Sequence, residues 1–260
     1  MLTQTPIATL PPDLTPADRR TWLNRLADTA LDSLLTSEVA WHRLLWTAGM
    51  HPSRPTITNL AVIAEQAPFC FVDNYKGWQR RGQQVQEGEK GLLIYRSILR
   101  RSKNATSDDG GRLHGFLTGK LWTHAQVKPT DPEAPDPQTA PYAQTWQTTA
   151  DQLRDALTDL PTLTACPPDA EMTEEHCDAI LDGMLTLAQR HGLADKAAQY
   201  SAVWLASYAL DGPLPDPPPM PRLPADAADL TDPKRRVLIQ AQAQAVIDTG
   251  RAIAQALHRP

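Results

Sequence analysis

Cysteine is scarce in this chain: three residues, Cys70, Cys166 and Cys177, in a length of 260. They show no metal-ligand spacing, which excludes a disulfide scaffold and a four-cysteine zinc site. No run reaches the roughly 18 apolar residues that a membrane span needs, so no membrane partner is expected. No basic-then-apolar stretch of the signal-peptide kind opens the chain. These absences predict a cytoplasmic protein. The His-Glu-x-x-His pattern, which sets two zinc-binding imidazoles on one helical face with a general base between them, is also missing. Neither a metal nor a cofactor is expected. Proline leaves its longest gap in the middle of the chain. None lies in the 60 residues between Pro68 and Pro129, although the chain has 24. Five fall within 129–141 and seven within 213–224, where they predict stiff, extended connections.

Charge is unevenly divided. Residues 51–128 carry 12 basic and 6 acidic side chains, a net +6. Residues 129–260 carry 9 basic and 19 acidic side chains, a net −10. A basic segment inside an acidic chain points to a polyanionic partner, or to a solvated basic face.

Helical signals dominate both ends. Thr15-Pro16-Ala17-Asp18 reads as an N-cap, a proline at the first helical position and an early acidic residue. Leu23, Leu26, Ala30 and Leu34 then recur at helical spacing. A second helix is expected from Ser37-Glu38 to a stop at Gly49, and a third, capped by Thr58, over Asn59–Gln66. Tyr75–Arg81 reads as one helical turn broken by Gly82. Leu92–Tyr95 and Leu113–Thr123 read as strands joined by a polar loop. Downstream, helices are predicted over Thr145–Leu160, Thr173–His191, Asp195–Leu210 and from Asp232-Pro233 onward. The fold class is therefore α+β: N-terminal helices with a small antiparallel sheet, followed by a mostly α-helical C-terminal region. The predicted segments are 1–128, a linker at 129–141, a helical domain at 142–212, a second linker at 213–229 and a terminal helix at 230–260.

The chemistry concentrates in the proline-free stretch. Tyr75, Lys76, Trp78, Arg80 and Arg81 interleave aromatic rings with cations, and Lys90, Arg96, Arg100, Arg101 and Lys120 follow. Rings stack on bases and cations hold phosphates, which suits single-stranded nucleic acid. Trp78 fits equally as a core anchor. Gly88-Glu89-Lys90-Gly91 lacks the spacing of a phosphate-binding P-loop and reads as a tight turn leading into a strand.

Four stretches occur in the order and spacing of a known family. They are TNLAVIAEQAP around Asn59 and Gln66, VDNYKGWQRRGQQV at 72–85, GEKG at 88–91, and GKLWTHAQV at 119–127 with Trp122 and Gln126. Residues 37–128 thereby resemble the N-terminal domain of ArdC-type antirestriction proteins, a plasmid- and phage-borne family. Trp122-Thr123 stands where that family has phenylalanine and aspartate, and Arg54-Pro55-Thr56 where a tyrosine-serine pair is common. The resemblance implies that 1–128 is a domain binding single-stranded DNA. Asn59 and Gln66 match family positions, with contact to DNA and bracing of the helix both open as roles. Many family members carry a zinc metallopeptidase domain after the linker. Its motif is absent here, and AQYSAVWLASYAL at 198–210 only faintly resembles its third-ligand helix. Region 142–212 is then a degenerate peptidase or an unrelated helical module.

The reading that joins charge and resemblance is a non-enzymatic protein that binds single-stranded DNA, with duplex DNA as a second candidate partner. The alternative is a protein-interaction or structural module whose acidic helices dock a partner. Two further expectations concern those helices: that they compete with DNA for the basic surface, and that the terminal helix mediates homo-oligomerisation.

Overall fold

The computed structural model describes residues 14–51, 53, 55–100, 112–130, 142–157, 171–212, 216–223, 227 and 229–258. Three helices open the described chain: α1 (Pro16–Ser33), α2 (Glu38–Met50) and α3 (Ile57–Gln66). A short strand β1 (Val72–Asp73), a helical turn α4 (Tyr75–Arg80) and strand β2 (Gln83–Val85) come next. The hairpin β3 (Leu92–Arg100) and β4 (Arg112–Thr123) is followed by β5 (Val127–Pro129). Four helices complete the chain: α5 (Trp146–Ala156), α6 (Glu174–Arg190), α7 (Lys196–Leu210) and α8 (Asp232–Leu257). The class is α+β, as the sequence predicts.

Local chemistry explains most boundaries. Thr15, Ser37, Thr56, Asn74, Thr145, Thr173 and Asp195 each accept a backbone N–H of the first turn of the helix they precede. Each such cap satisfies a donor that the helix itself leaves open. Thr56 caps α3, not Thr58, so this helix begins two residues before its expected start. Gly82, Gly88 and Gly192 hold positive φ, where a β-carbon is costly.

Gly49 departs from expectation. It does not stop α2, which continues to Met50. A β-carbon on Gly49 would lie 3.0 Å from the Leu205 carbonyl oxygen. Gly250 in α8 makes the matching approach, with a β-carbon that would lie 2.7 Å from the Ala202 carbonyl oxygen. Both glycines let a helix backbone close onto α7. Helix α7 is buried on nearly every side, from Ala198 to Leu210, and an all-round apolar helix belongs at the centre of a core.

That core joins residues far apart in sequence. Leu34, Trp41, Leu44, Leu45 and Leu60 pack with Ala202, Leu205, Ile239, Val246 and Ile247. The Trp41 indole donates to Ser201 Oγ at 3.0 Å. Arg236 clamps α8 to α1 through Asp32 at 2.6 Å and Asp28 at 2.8 Å. This pairing holds the Asp32 carboxyl below its usual range. Proline clusters and charge thus divide the sequence, while the first three helices and the last two share one core. The apolar face of α8 expected to pair between copies is spent inside the molecule, where Ile239, Ile253 and Leu257 are buried.

The three-stranded sheet has the order β1-β4-β3, all antiparallel. Strands β2 and β5 form a separate antiparallel pair. A small core of Met50, Phe71 and Trp78 joins the two sheets to the end of α2.

Candidate nucleic-acid interface

Strand β3 is an edge strand, and an open edge exposes unpaired N–H and C=O groups. Two carboxamides from α3 close it. Asn59 accepts from the Tyr95 N–H and donates to the Tyr95 carbonyl, both at 2.9 Å. Gln66 accepts from the Leu93 N–H at 3.1 Å and donates to the Leu93 carbonyl at 2.8 Å. Residues seven apart lie on one helical face, and residues two apart on a strand present their backbone to the same side. The longer glutamine side chain helps bridge the difference between the two spacings. Asn59 and Gln66 therefore brace the hairpin; Gln66 is buried, whereas the half-buried Asn59 also borders one of the depressions beside the hairpin.

The other family-like positions also build the hairpin. Gln126 donates to Glu89 Oε2 at 2.7 Å and to the Lys90 carbonyl at 3.0 Å, and its Oε1 accepts the Thr123 N–H. It thereby ties the GEKG turn to the end of β4. A β-carbon on Gly91 would lie 2.8 Å from the Leu121 carbonyl oxygen, so the turn closes only with glycine there. Trp78 is fully buried, and its indole donates to the Trp122 carbonyl at 2.9 Å. It cannot stack on a base. The aromatic residue available in its place is Tyr75, 41 % exposed, which stands edge-on to the half-buried Trp122 ring. Gln84 donates to the Tyr75 hydroxyl at 2.8 Å and fixes that ring.

Three adjoining depressions lie beside these residues. One of about 580 Å³ lies among Tyr75, Lys76, Arg96, Lys120 and Trp122. A second, of about 370 Å³, lies among His51, Phe71, Asp73, Arg80 and Arg81. A third, of about 280 Å³, joins them. It shares Ile94 and Leu121 with the first, His51, Ser53 and Asp73 with the second, and Asn74 with both. The result is one continuous groove whose lining comes entirely from residues 51–122.

The groove is basic. Lys76, Arg80, Arg96 and Lys120 are exposed and form no ion pair among the described residues. Arg81 is half-buried, with its guanidinium 4.7 Å from the centre of the Phe71 ring and its Nε 3.5 Å from the Asp73 carboxylate. Asp73 is the single acid among the described residues that line the groove. Its carboxylate accepts from the Asn74 backbone and side chain, and a β-carbon on Gly77 would overlap it. Converging cations on a concave surface focus potential for an anionic ligand. Of the remaining expected site residues, Lys90 is exposed on the turn but outside the groove lining. Arg100 ends β3 opposite Arg112, and Arg101 lies outside the described residues.

Sequence reasoning missed His51, Asp73 and Asn74. His51 is 5 % exposed, and its Nε2 has no hydrogen-bond partner among the described residues. Burial first, then the positive charges of Arg251 and Arg81, lower its pKa to about 4. The imidazole is neutral at physiological pH. Asn74 had a legible signal, a cap residue before a helical turn. His51 had none.

Among the described residues, no group of three His, Cys, Asp or Glu side chains is arranged to hold a metal ion, and no helix is long and apolar enough to cross a membrane. In α7, Gln199 is buried and donates to the Leu193 carbonyl at 2.6 Å, whereas Tyr200 faces outward. No family model, curated protein or solved structure matches this chain.

Proposed function

We propose that this chain is a non-enzymatic binder of single-stranded DNA that protects DNA in the manner of antirestriction proteins. The observation that carries the reading is the continuous groove lined by Lys76, Arg80, Arg81, Arg96 and Lys120, with Tyr75 and Trp122 at its side. The cations hold successive phosphates, and the exposed Tyr75 ring offers a face on which a base stacks. A bound single strand would release about 0.7 counterion per phosphate neutralised, so five contacts give a log–log salt slope of about −3.5. The ArdC-like motifs agree with this reading, because they build the hairpin and the turn that shape the groove.

Fluorescence anisotropy with a labelled single-stranded oligonucleotide and its duplex, each at about 50 and 200 mM salt, tests it. The expected result is binding of the single strand that weakens steeply with salt. Absence of binding at the lower salt would reject the function. Binding insensitive to salt would reject the phosphate mechanism.

A further inference from the structure

We propose that the His51 end of the groove receives a single nucleobase turned out of the bound strand, and that this subsite makes affinity depend on base identity. The inference rests on the strand-binding reading and deepens it.

The starting observation is an unsatisfied atom. A buried polar atom without a partner is costly and asks for an occupant. Among the described residues His51 Nε2 is such an atom, on a side chain that lines both the 370 Å³ depression and the one that joins it to the rest of the groove. Its ring is held in place. It stacks on Phe71 with centroids 5.5 Å apart and planes 13° from parallel, and the His51 carbonyl accepts from the Arg251 guanidinium at 3.3 Å. The nitrogen itself is buried, so a base edge reaches it once the lip of the depression shifts to admit the base, and the fixed ring then holds it in one direction.

The surroundings favour a base over a phosphate. A neutral imidazole offers one donor and one acceptor, which matches the mixed edge of a base. The Asp73 carboxylate adds acceptors in the same depression and would repel a phosphate pushed to its floor. Arg80 and Arg81 line the depression as well, where they hold the phosphates flanking the turned-out nucleotide. The volume falls at the lower end of the roughly 300–1,000 Å³ typical of small-ligand sites. Bases of single strands are readily splayed out and hydrogen-bonded on their edges.

The test uses the full chain and four labelled single strands of equal length: poly-adenine, poly-cytosine, poly-thymine and alternating guanine–thymine. Two variants accompany the wild type. His51→Phe keeps a ring on Phe71 and removes the nitrogen. Ser53→Trp fills the depression from an exposed position. Thermal melting confirms that each is folded, and if His51→Phe is not, Ser53→Trp decides. The wild type is expected to prefer one strand by about tenfold, the worth of one good hydrogen bond. Both variants should lower that strand to the level of the others and leave the salt slope unchanged. Equal wild-type affinity for all four strands, or a preference that survives the variants, overturns the base subsite while strand binding stands. Failure of the wild type to bind any strand overturns both.

Discussion

The segment at 51–128 and the helices at 142–258 differ in charge, architecture and what they lend to the groove. The first carries the sheet, the positive charge and every residue that lines the groove. The second carries the negative charge and supplies none of the lining. It supplies the scaffold instead. Helix α7 is the centre around which α2 and α8 close, and Arg251 on α8 donates to the Ala48 and His51 carbonyls at the end of α2. Charge imbalance by itself suggested that the acidic half competes with DNA. The packing separates two parts, a basic surface, proposed above as the contact surface, and an acidic helical body that holds it in shape.

The strongest way to break this comparison is to cut the chain after Lys128. Competition between the halves predicts a folded fragment that binds more tightly. The shared core predicts loss of cooperative folding, because Trp41, Leu44 and Leu45 lose the α7 and α8 partners that bury them. Circular dichroism with a thermal ramp should show no cooperative transition. A folded fragment with higher affinity would refute the scaffold role.

A subtler probe is acid. The unfolded chain protonates His51 near pH 6.5, but the folded chain resists until about 4. Between these values the unfolded state binds the extra proton, so stability is complete above 6.5 and falls as pH drops toward 4. The loss reaches roughly 3 kcal/mol. Chemical denaturation across that window should show it in the wild type and a flatter profile in His51→Phe. Identical profiles would mean that Arg251 and the α2 end do not enforce burial of this ring.

Replacing Gln66 with Leu sharpens the comparison from the groove side. It leaves the Leu93 N–H and C=O buried without partners and should cost about 2–3 kcal/mol in denaturant unfolding. A loss under about 0.5 kcal/mol would show that α3 does not seal the β3 edge. Trp78→Phe should have the smallest effect, about 1–2 kcal/mol for a lost hydrogen bond and some volume. Its affinity for DNA, measured on folded protein, should be unchanged. Reduced affinity would return Trp78 to the binding surface.

The sequence was most readable where a local signal decides the outcome. Caps at Thr15, Ser37 and Asp195 sit where the helices begin, and β3 and β4 pair as an antiparallel hairpin, with the expected polar loop between them lying outside the described residues. It was least readable where the deciding partner is distant. Gly49 has the look of a helix stop, and only the Leu205 carbonyl, 156 positions away, makes it a packing glycine. Trp78 next to two arginines reads the same whether its ring points inward or outward, because α4 spans only six residues and the neighbouring core sets its direction. Asn59 and Gln66 share a helical face in any reading, but their target is the edge of a strand that sequence does not position. Charge located the basic groove to within a segment. It could not reveal that His51, an isolated histidine just ahead of two prolines, lines one end.

The central claim is that the groove cations, and not basic charge in general, hold the strand. The direct measurement is the salt slope of single-strand binding for Arg96→Glu/Lys120→Glu beside the wild type and a control, Arg222→Glu/Lys234→Glu, which reverses two exposed cations of the helical body. The groove variant should bind at least tenfold more weakly, with a slope shallower by about 1.4, and the control should match the wild type. Equal losses in the two variants would contradict the division of the molecule into a contact surface and a scaffold.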